Sequence, residues 1–144
     1  MIEGVIIKPL KIFRDERGQV MHMLRCDDPL FKGFGEIYFS VVNVGVVKGW
    51  KRHKEMVQSF AVPKGDMKLV IYDDRPKSPS KGEIQVIEFG ENNYQLVRLP
   101  PMVWYSFSPI GGVPAMVANC ANIPFSPQES EQIDLDDTRV PYRW

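Results

Sequence analysis

The stretch Gly45–Gly65, "GVVKGWKRHKEMVQSFAVPKG", decides how the chain is read. Between its bounding glycines, Lys51 follows Gly45 after five residues, His53 after one more, Gln58 after four more, and Gly65 after a further six. If the backbone is extended here, Lys51 and His53 share a face, because side chains two apart in a strand point the same way. Gln58 can join them after a turn, so the three can converge on one pocket. The run "VQSFAVP" then has the length and composition of a strand closed by a lysine-glycine turn.

The same pattern extends in both directions. Short apolar runs recur about every ten residues, separated by glycine, proline and charged turns, as in an antiparallel sandwich or barrel. The strands expected are "GVIIKPL", "QVMHMLR", "EIYFSVVNV", "VQSFAVP", "MKLVIYD", "EIQVIEF", "YQLVRLP", "VWYSF" and "PAMVANC", which makes the chain all-β. No segment sustains a helical period, although "SPQESEQI" is expected to form a short capped helix starting at Ser126 or Pro127. In "EIYFSVV", Glu36, Tyr38 and Ser40 fall on one face and Ile37, Phe39 and Val41 on the other. A polar row opposite an apolar row predicts an outer strand with a solvated polar face.

A chain of 144 residues is expected to form one domain with its own core. Eighteen basic residues balance eighteen acidic ones, so no global field recruits nucleic acid or an anionic membrane, and any anion must be held locally. Cys26 and Cys120 lack zinc-ligand spacing and read as small buried residues of a reducing compartment. No run of about 18 apolar residues and no signal-peptide order is present, so a cytoplasmic location is expected.

The spacing from Gly45 to Gly65 resembles the first signature of the cupin superfamily, a jelly-roll β-barrel or sandwich. That signature places two histidines and a glutamate where Lys51, His53 and Gln58 stand. The second cupin motif is similar to "PPMVWY", with Pro100 kept, Met102 in a glycine position and Tyr105 in that of the last histidine. In the superfamily these four ligand positions hold a metal. One imidazole cannot satisfy a transition metal that takes three or four protein ligands, so neither metal nor other cofactor is expected. Lys51, Gln58 and Tyr105 can still hydrogen-bond or move protons.

Within the cupins the chain resembles the dTDP-4-dehydrorhamnose 3,5-epimerase family along most of its length. The resemblance is carried by "FRDERGQVMH" (Phe13, Asp15, Arg17, Gly18), "FGEIYFS" (Phe34, Ser40), "GVVKGW" with Lys48 for an arginine, "DDRPKSPSKG" (Asp73, Arg75, Ser78, Pro79, Gly82) and the closing "IDLDDTRVPYRW" (Asp137, Trp144). "KGWKRHKEMVQ" also resembles the motif of sugar 3,4-ketoisomerases, keeping Gly49, His53, Lys54 and Gln58, with Tyr38 matching a pocket tyrosine. Both groups act on nucleotide-linked 4-keto sugars.

The resemblance implies proton abstraction beside a ketone, which needs a positioned base, an acid and donors for the developing enolate. In both relatives the base is a histidine where this chain has Lys51. The epimerases orient it with an acid matched by Asp137 and place a proton-donating tyrosine where Ala118 stands, so Asp137 is expected to pair with Lys51. His53 is the favoured replacement base, with Tyr38 or Tyr105 as acid; Lys51 with a lowered pKa is the alternative. Arg17 and Lys48 resemble diphosphate-binding residues, and Glu36, Gln58 and Asp73 complete the expected substrate-binding set. Arg75 is expected to stabilise a turn or a dimer, and His22 falls where the family has a glutamate near the nucleotide base. Trp50, Trp104 and Trp144 are expected to pack.

The expected activity is therefore a 3- or 3,5-epimerase, or a 3,4-ketoisomerase, acting on a nucleotide 4-keto-6-deoxyhexose. The rival is a non-catalytic cupin that binds a nucleotide sugar. Relatives imply a homodimer in which an N-terminal strand crosses to the partner's sheet, covering an exposed edge.

Overall fold

A computed structural model describes residues 1–144, and nearly all of its regular structure is β. The strands are β1 (Ile6–Pro9), β2 (Ile12–Asp15), β3 (Gly18–Met21), β4 (Glu36–Val42), β5 (Lys48–His53), β6 (Gln58–Lys64), β7 (Asp66–Tyr72), β8 (Ile84–Gly90), β9 (Gln95–Leu99), β10 (Trp104–Ile110), β11 (Ala115–Ala121) and β12 (Ser130–Gln132). They form two five-stranded antiparallel sheets, ordered β1-β9-β6-β11-β4 and β12-β5-β10-β7-β8, with β2 and β3 as a separate hairpin. Neighbours in the sheets are mostly distant in sequence, giving the jelly-roll sandwich of the cupins.

Alternation explains the layers. In β7, Met67, Leu69 and Ile71 point into the space between the sheets and are fully buried, meeting Phe60, Val62, Val97 and Phe107. Val70 points the other way and is buried just as deeply, because the C-terminal segment crosses the outer face of that sheet. There Trp50, Val70, Trp104 and Val140 form a second apolar cluster, flanked by Ile133, Leu135 and Tyr142. Two of the tryptophans thus pack, as expected.

Several local expectations are revised. "SPQESEQI" makes only one 3₁₀ turn, Pro127–Glu129, and then becomes β12 paired with β5. Ser126 starts the turn without a side-chain cap. The faces of β4 are inverted relative to the solvated-polar expectation: Tyr38 and Ser40 look into the sandwich, while Ile37, Phe39 and Val41 are 48, 62 and 55% exposed. Cys26 is exposed and Cys120 half-buried, and neither is in a disulfide. The first strand, β1, pairs with β9.

Gly49 controls how β5 meets β10. Its φ is +136°, and a Cβ there would lie 2.4 Å from the Cβ of Ser106 and 2.8 Å from the Tyr105 carbonyl oxygen. This close approach accompanies a register shift in the β5–β10 ladder and leaves Tyr105 directly opposite Lys51. Gly49→Ala therefore forces backbone apart and is expected to destabilise the fold by about 1–3 kcal/mol. Denaturant unfolding checks this, and an unchanged midpoint would contradict it.

Candidate active site

Between the sheets, toward β4 and β5, lies a cavity of about 470 Å³. One wall is built from β5, β10 and β12, which contribute Lys48, Gly49, Lys51, Tyr105, Phe107 and Gln132; the other is built from β4, β6 and β11, which contribute Tyr38, Ser40, Phe60, Val117 and Asn119. Lys51 and Tyr38 thus reach it from opposing sheets. The half-buried Lys51 amine makes no ion pair within the chain, and its aromatic neighbour is the Phe125 ring, 5.3 Å from the centroid. Burial lowers its pKa, with Glu129 acting in the opposite sense. Tyr38 is raised, chiefly by burial, and so stays a neutral phenol. Its oxygen accepts a hydrogen bond of 2.9 Å from the Asn119 amide. Lys48 donates to Ser40 at 3.1 Å.

Behind the cavity runs a buried polar chain. Glu129 Oε1 accepts the backbone N–H groups of Glu55 and Met56, both at 2.9 Å, and Oε2 stands 2.5 Å from His53 Nδ1. His53 Nδ1–H therefore donates to the carboxylate, leaving Nε2 as an acceptor 3.4 Å from the Tyr105 hydroxyl. Gln58 Nε2 donates to that hydroxyl at 3.0 Å. His53 is only 2% exposed, and burial holds its pKa below the ordinary value despite Glu129. Burial alone would raise Glu129, but the Glu55 and Met56 amides and His53 outweigh it and keep the carboxyl below its usual range. The pair is thus a neutral imidazole on a carboxylate.

The profile of the dTDP-4-dehydrorhamnose 3,5-epimerase family matches residues 1–144. The chain belongs to that family. It is 35% identical over 143 residues to the Haloferax volcanii protein named "Probable low-salt glycan biosynthesis epimerase Agl13", covering 98% of this chain and 88% of that one. The spore coat polysaccharide biosynthesis protein SpsL of Bacillus subtilis is 30% identical over 146 residues, covering 100% of this chain and 97% of the relative. Among solved structures, a dTDP sugar isomerase from Desulfovibrio desulfuricans G20 is 47% identical, with a TM-score of 0.97 over 99% of this chain and 92% of that one.

Of the expected site residues, Lys51, Tyr38, Tyr105 and Lys48 come together around the cavity, with Gln58 just behind. His53 does not line it: the favoured base is sealed behind Tyr105. The expected Asp137–Lys51 pair is absent. Asp137 accepts instead from Arg139 at 2.7 Å, which lowers its pKa to about 2, and the acid closest in role is Glu129. Ala118 faces away from the cavity, and Asn119 and Val117 supply the side chains there. Glu36 begins β4 on the Tyr38 side but is not part of the lining.

Asp73 is a turn clamp and does not line the cavity. Completely buried, it accepts from Arg75, Ser78 and Ser80; burial alone would raise its pKa, but these donors hold it well below the usual range. Arg75 accordingly serves that turn. Arg17 pairs with Asp15 at 2.6 Å at the tip of the β2–β3 hairpin, its side chain 84% exposed and away from its own cavity. Met102, in a glycine position of the second cupin motif, keeps the left-handed backbone with φ +67°, and its amide donates to the His53 carbonyl at 2.7 Å. No group of three or more His, Cys, Asp or Glu side chains is arranged to hold a metal ion.

Because His53 resists protonation in the fold but accepts a proton near pH 6.5 when unfolded, the unfolded state binds more protons below that pH. Stability should therefore decline as pH drops from about 6.5, before the carboxylates titrate. Denaturant midpoints measured between pH 7 and 5.5 should fall for wild type and stay flatter for His53→Asn. Equal slopes would contradict the neutral, buried imidazole.

Proposed function

We propose that the chain is a nucleotide-sugar epimerase acting on a nucleotide-linked 4-keto-6-deoxyhexose, with Lys51 as the base and Tyr38 as the acid. The observation that carries this reading is their placement on opposite walls of one cavity. A neutral Lys51 amine takes the proton from the carbon beside the ketone, and the C–H electrons move onto the carbonyl oxygen. The Tyr105 hydroxyl, already accepting from Gln58, turns its proton toward the resulting enolate. Tyr38 then protonates the same carbon from the other face, the ketone re-forms and the stereocentre is inverted. Burial supports both assignments, lowering the lysine's affinity for its proton and keeping the phenol protonated.

Lys48, exposed at the edge of the cavity beside Ser40, is assigned to the diphosphate. The β2–β3 hairpin has no strand partner in its own chain, and the apolar outer side of β4 is open. Both support a homodimer in which the hairpin crosses to the partner and carries Arg17 toward its cavity. Two free cysteines agree with a cytoplasmic location. No helix is long and apolar enough to cross a membrane.

The test incubates the protein in D₂O with a dTDP-linked 4-keto-6-deoxyglucose and follows the ring protons by NMR. Wild type should exchange the proton beside the ketone and invert that carbon, with a rate that rises with pH as Lys51 loses its proton. Lys51→Ala should lose about 10²–10⁴ in rate, whereas His53→Asn should lose less. Migration of the ketone without inversion would make the protein a ketoisomerase. Ligand-induced shifts without exchange would make it a binding protein.

A further inference from the structure

Asn119 is the one residue with a buried side-chain polar atom lacking any hydrogen-bond partner: its Oδ1. The residue is 2% exposed and lines the cavity from β11, between Phe60 on β6 and Tyr38 on β4. Its amide nitrogen is engaged, donating to the Tyr38 hydroxyl at 2.9 Å. This orientation suits the acid's role, since a phenol that gives its proton to a substrate carbon cannot also give it to Asn119. The nitrogen faces the phenol and the carbonyl oxygen is left over. A buried amide oxygen with nothing to accept is costly, and each such group in a native protein calls for an explanation.

We infer that Asn119 is a specificity residue whose free carbonyl oxygen accepts a sugar hydroxyl carried on the reacting carbon or on the ring carbon next to it. The inference rests on the epimerase function proposed for this same cavity. The partner must be a donor, because Oδ1 can only accept. It must belong to the sugar rather than the nucleotide base, because Asn119 and the acid that serves the reacting carbon are hydrogen-bonded to one another. On a 4-keto-6-deoxyhexose the donors within that reach are the ring hydroxyls at C2 and C3. Asn119 thus joins recognition to chemistry, reading a hydroxyl with its oxygen and aiming Tyr38 with its nitrogen. A site built to hydrogen-bond a hydroxyl rejects the analogue without it, because the buried acceptor is then left unpaired.

The experiment compares the parent nucleotide sugar with its 2-deoxy and 3-deoxy analogues, reading both affinity by calorimetry and isotope exchange in D₂O, in wild type, Asn119→Ala and Tyr38→Phe. Wild type should disfavour one analogue by about ten- to a hundredfold relative to the parent. Asn119→Ala should bring that ratio close to one, whereas Tyr38→Phe should lose inversion of the reacting carbon in the same spectra and keep the discrimination in affinity. Wild type binding all three sugars equally would overturn the inference without recourse to any variant. So would an Asn119→Ala protein that weakens all three by the same factor. If wild type binds and discriminates but exchanges no proton, the epimerase reading fails while Asn119 keeps its role; if no sugar binds, both fall.

Discussion

The carboxylate of Glu129 is the constraint on which the site depends. It lies on the single 3₁₀ turn that feeds β12 and gathers two backbone amides of the β5–β6 connection and the His53 imidazole. Its own carbonyl accepts the Lys54 amide, so main chain and side chain together dock the C-terminal segment onto the end of β5. A buried carboxylate is tolerable only with such a set of donors, and their number is why it remains ionised. The same contacts specify the tautomer of His53, which in turn presents an acceptor to Tyr105.

The arrangement divides the labour between the two basic residues of the motif. His53 is spent on structure: it is neutral, sealed and bonded at one nitrogen, with Tyr105 at the other. Lys51, two residues earlier on the same strand, reaches the cavity with no carboxylate bonded to its amine. A lysine held in an ion pair would keep its proton and be useless as a base; one desolvated without a partner gives it up more readily. The opposite wall is tuned in the complementary sense, since burial keeps Tyr38 protonated. Two groups whose environments push proton affinity in the directions required by a base and an acid thus face each other across a space large enough for a sugar.

Much of this is legible in the sequence, and what is not has identifiable causes. Glycine and proline punctuation and period-two alternation locate most strands, and the spacing from Gly45 to Gly65 is enough to suggest the jelly roll. The short β12 escapes such a reading because its three residues become a strand only by pairing with β5. Alternation shows that Tyr38 and Ser40 share a face, but parity does not say which face is inside, and β4 turns the polar one toward the cavity. Glu129 is invisible for a related reason: it is 76 positions from His53, and only the docking of the C-terminal segment brings them together. Asn119 lies one residue of register from the expected tyrosine position, enough in a strand to exchange the cavity side for the outer one. Asp73 matches the family's motif because the turn it clamps belongs to the fold, so a motif match located a structural residue.

In the proposed epimerisation the Lys51 amine, desolvated by the cavity, gives up its proton readily and acts as the base. The most direct test of that role is an NMR titration of protein carrying ¹³Cε-labelled lysine, with the resonance assigned by its absence from Lys51→Ala. This resonance should titrate below the ordinary lysine value, with a midpoint that coincides with that of the isotope-exchange rate. A Lys51 that titrates at or above the ordinary value, or an exchange rate that follows another midpoint, would contradict the account.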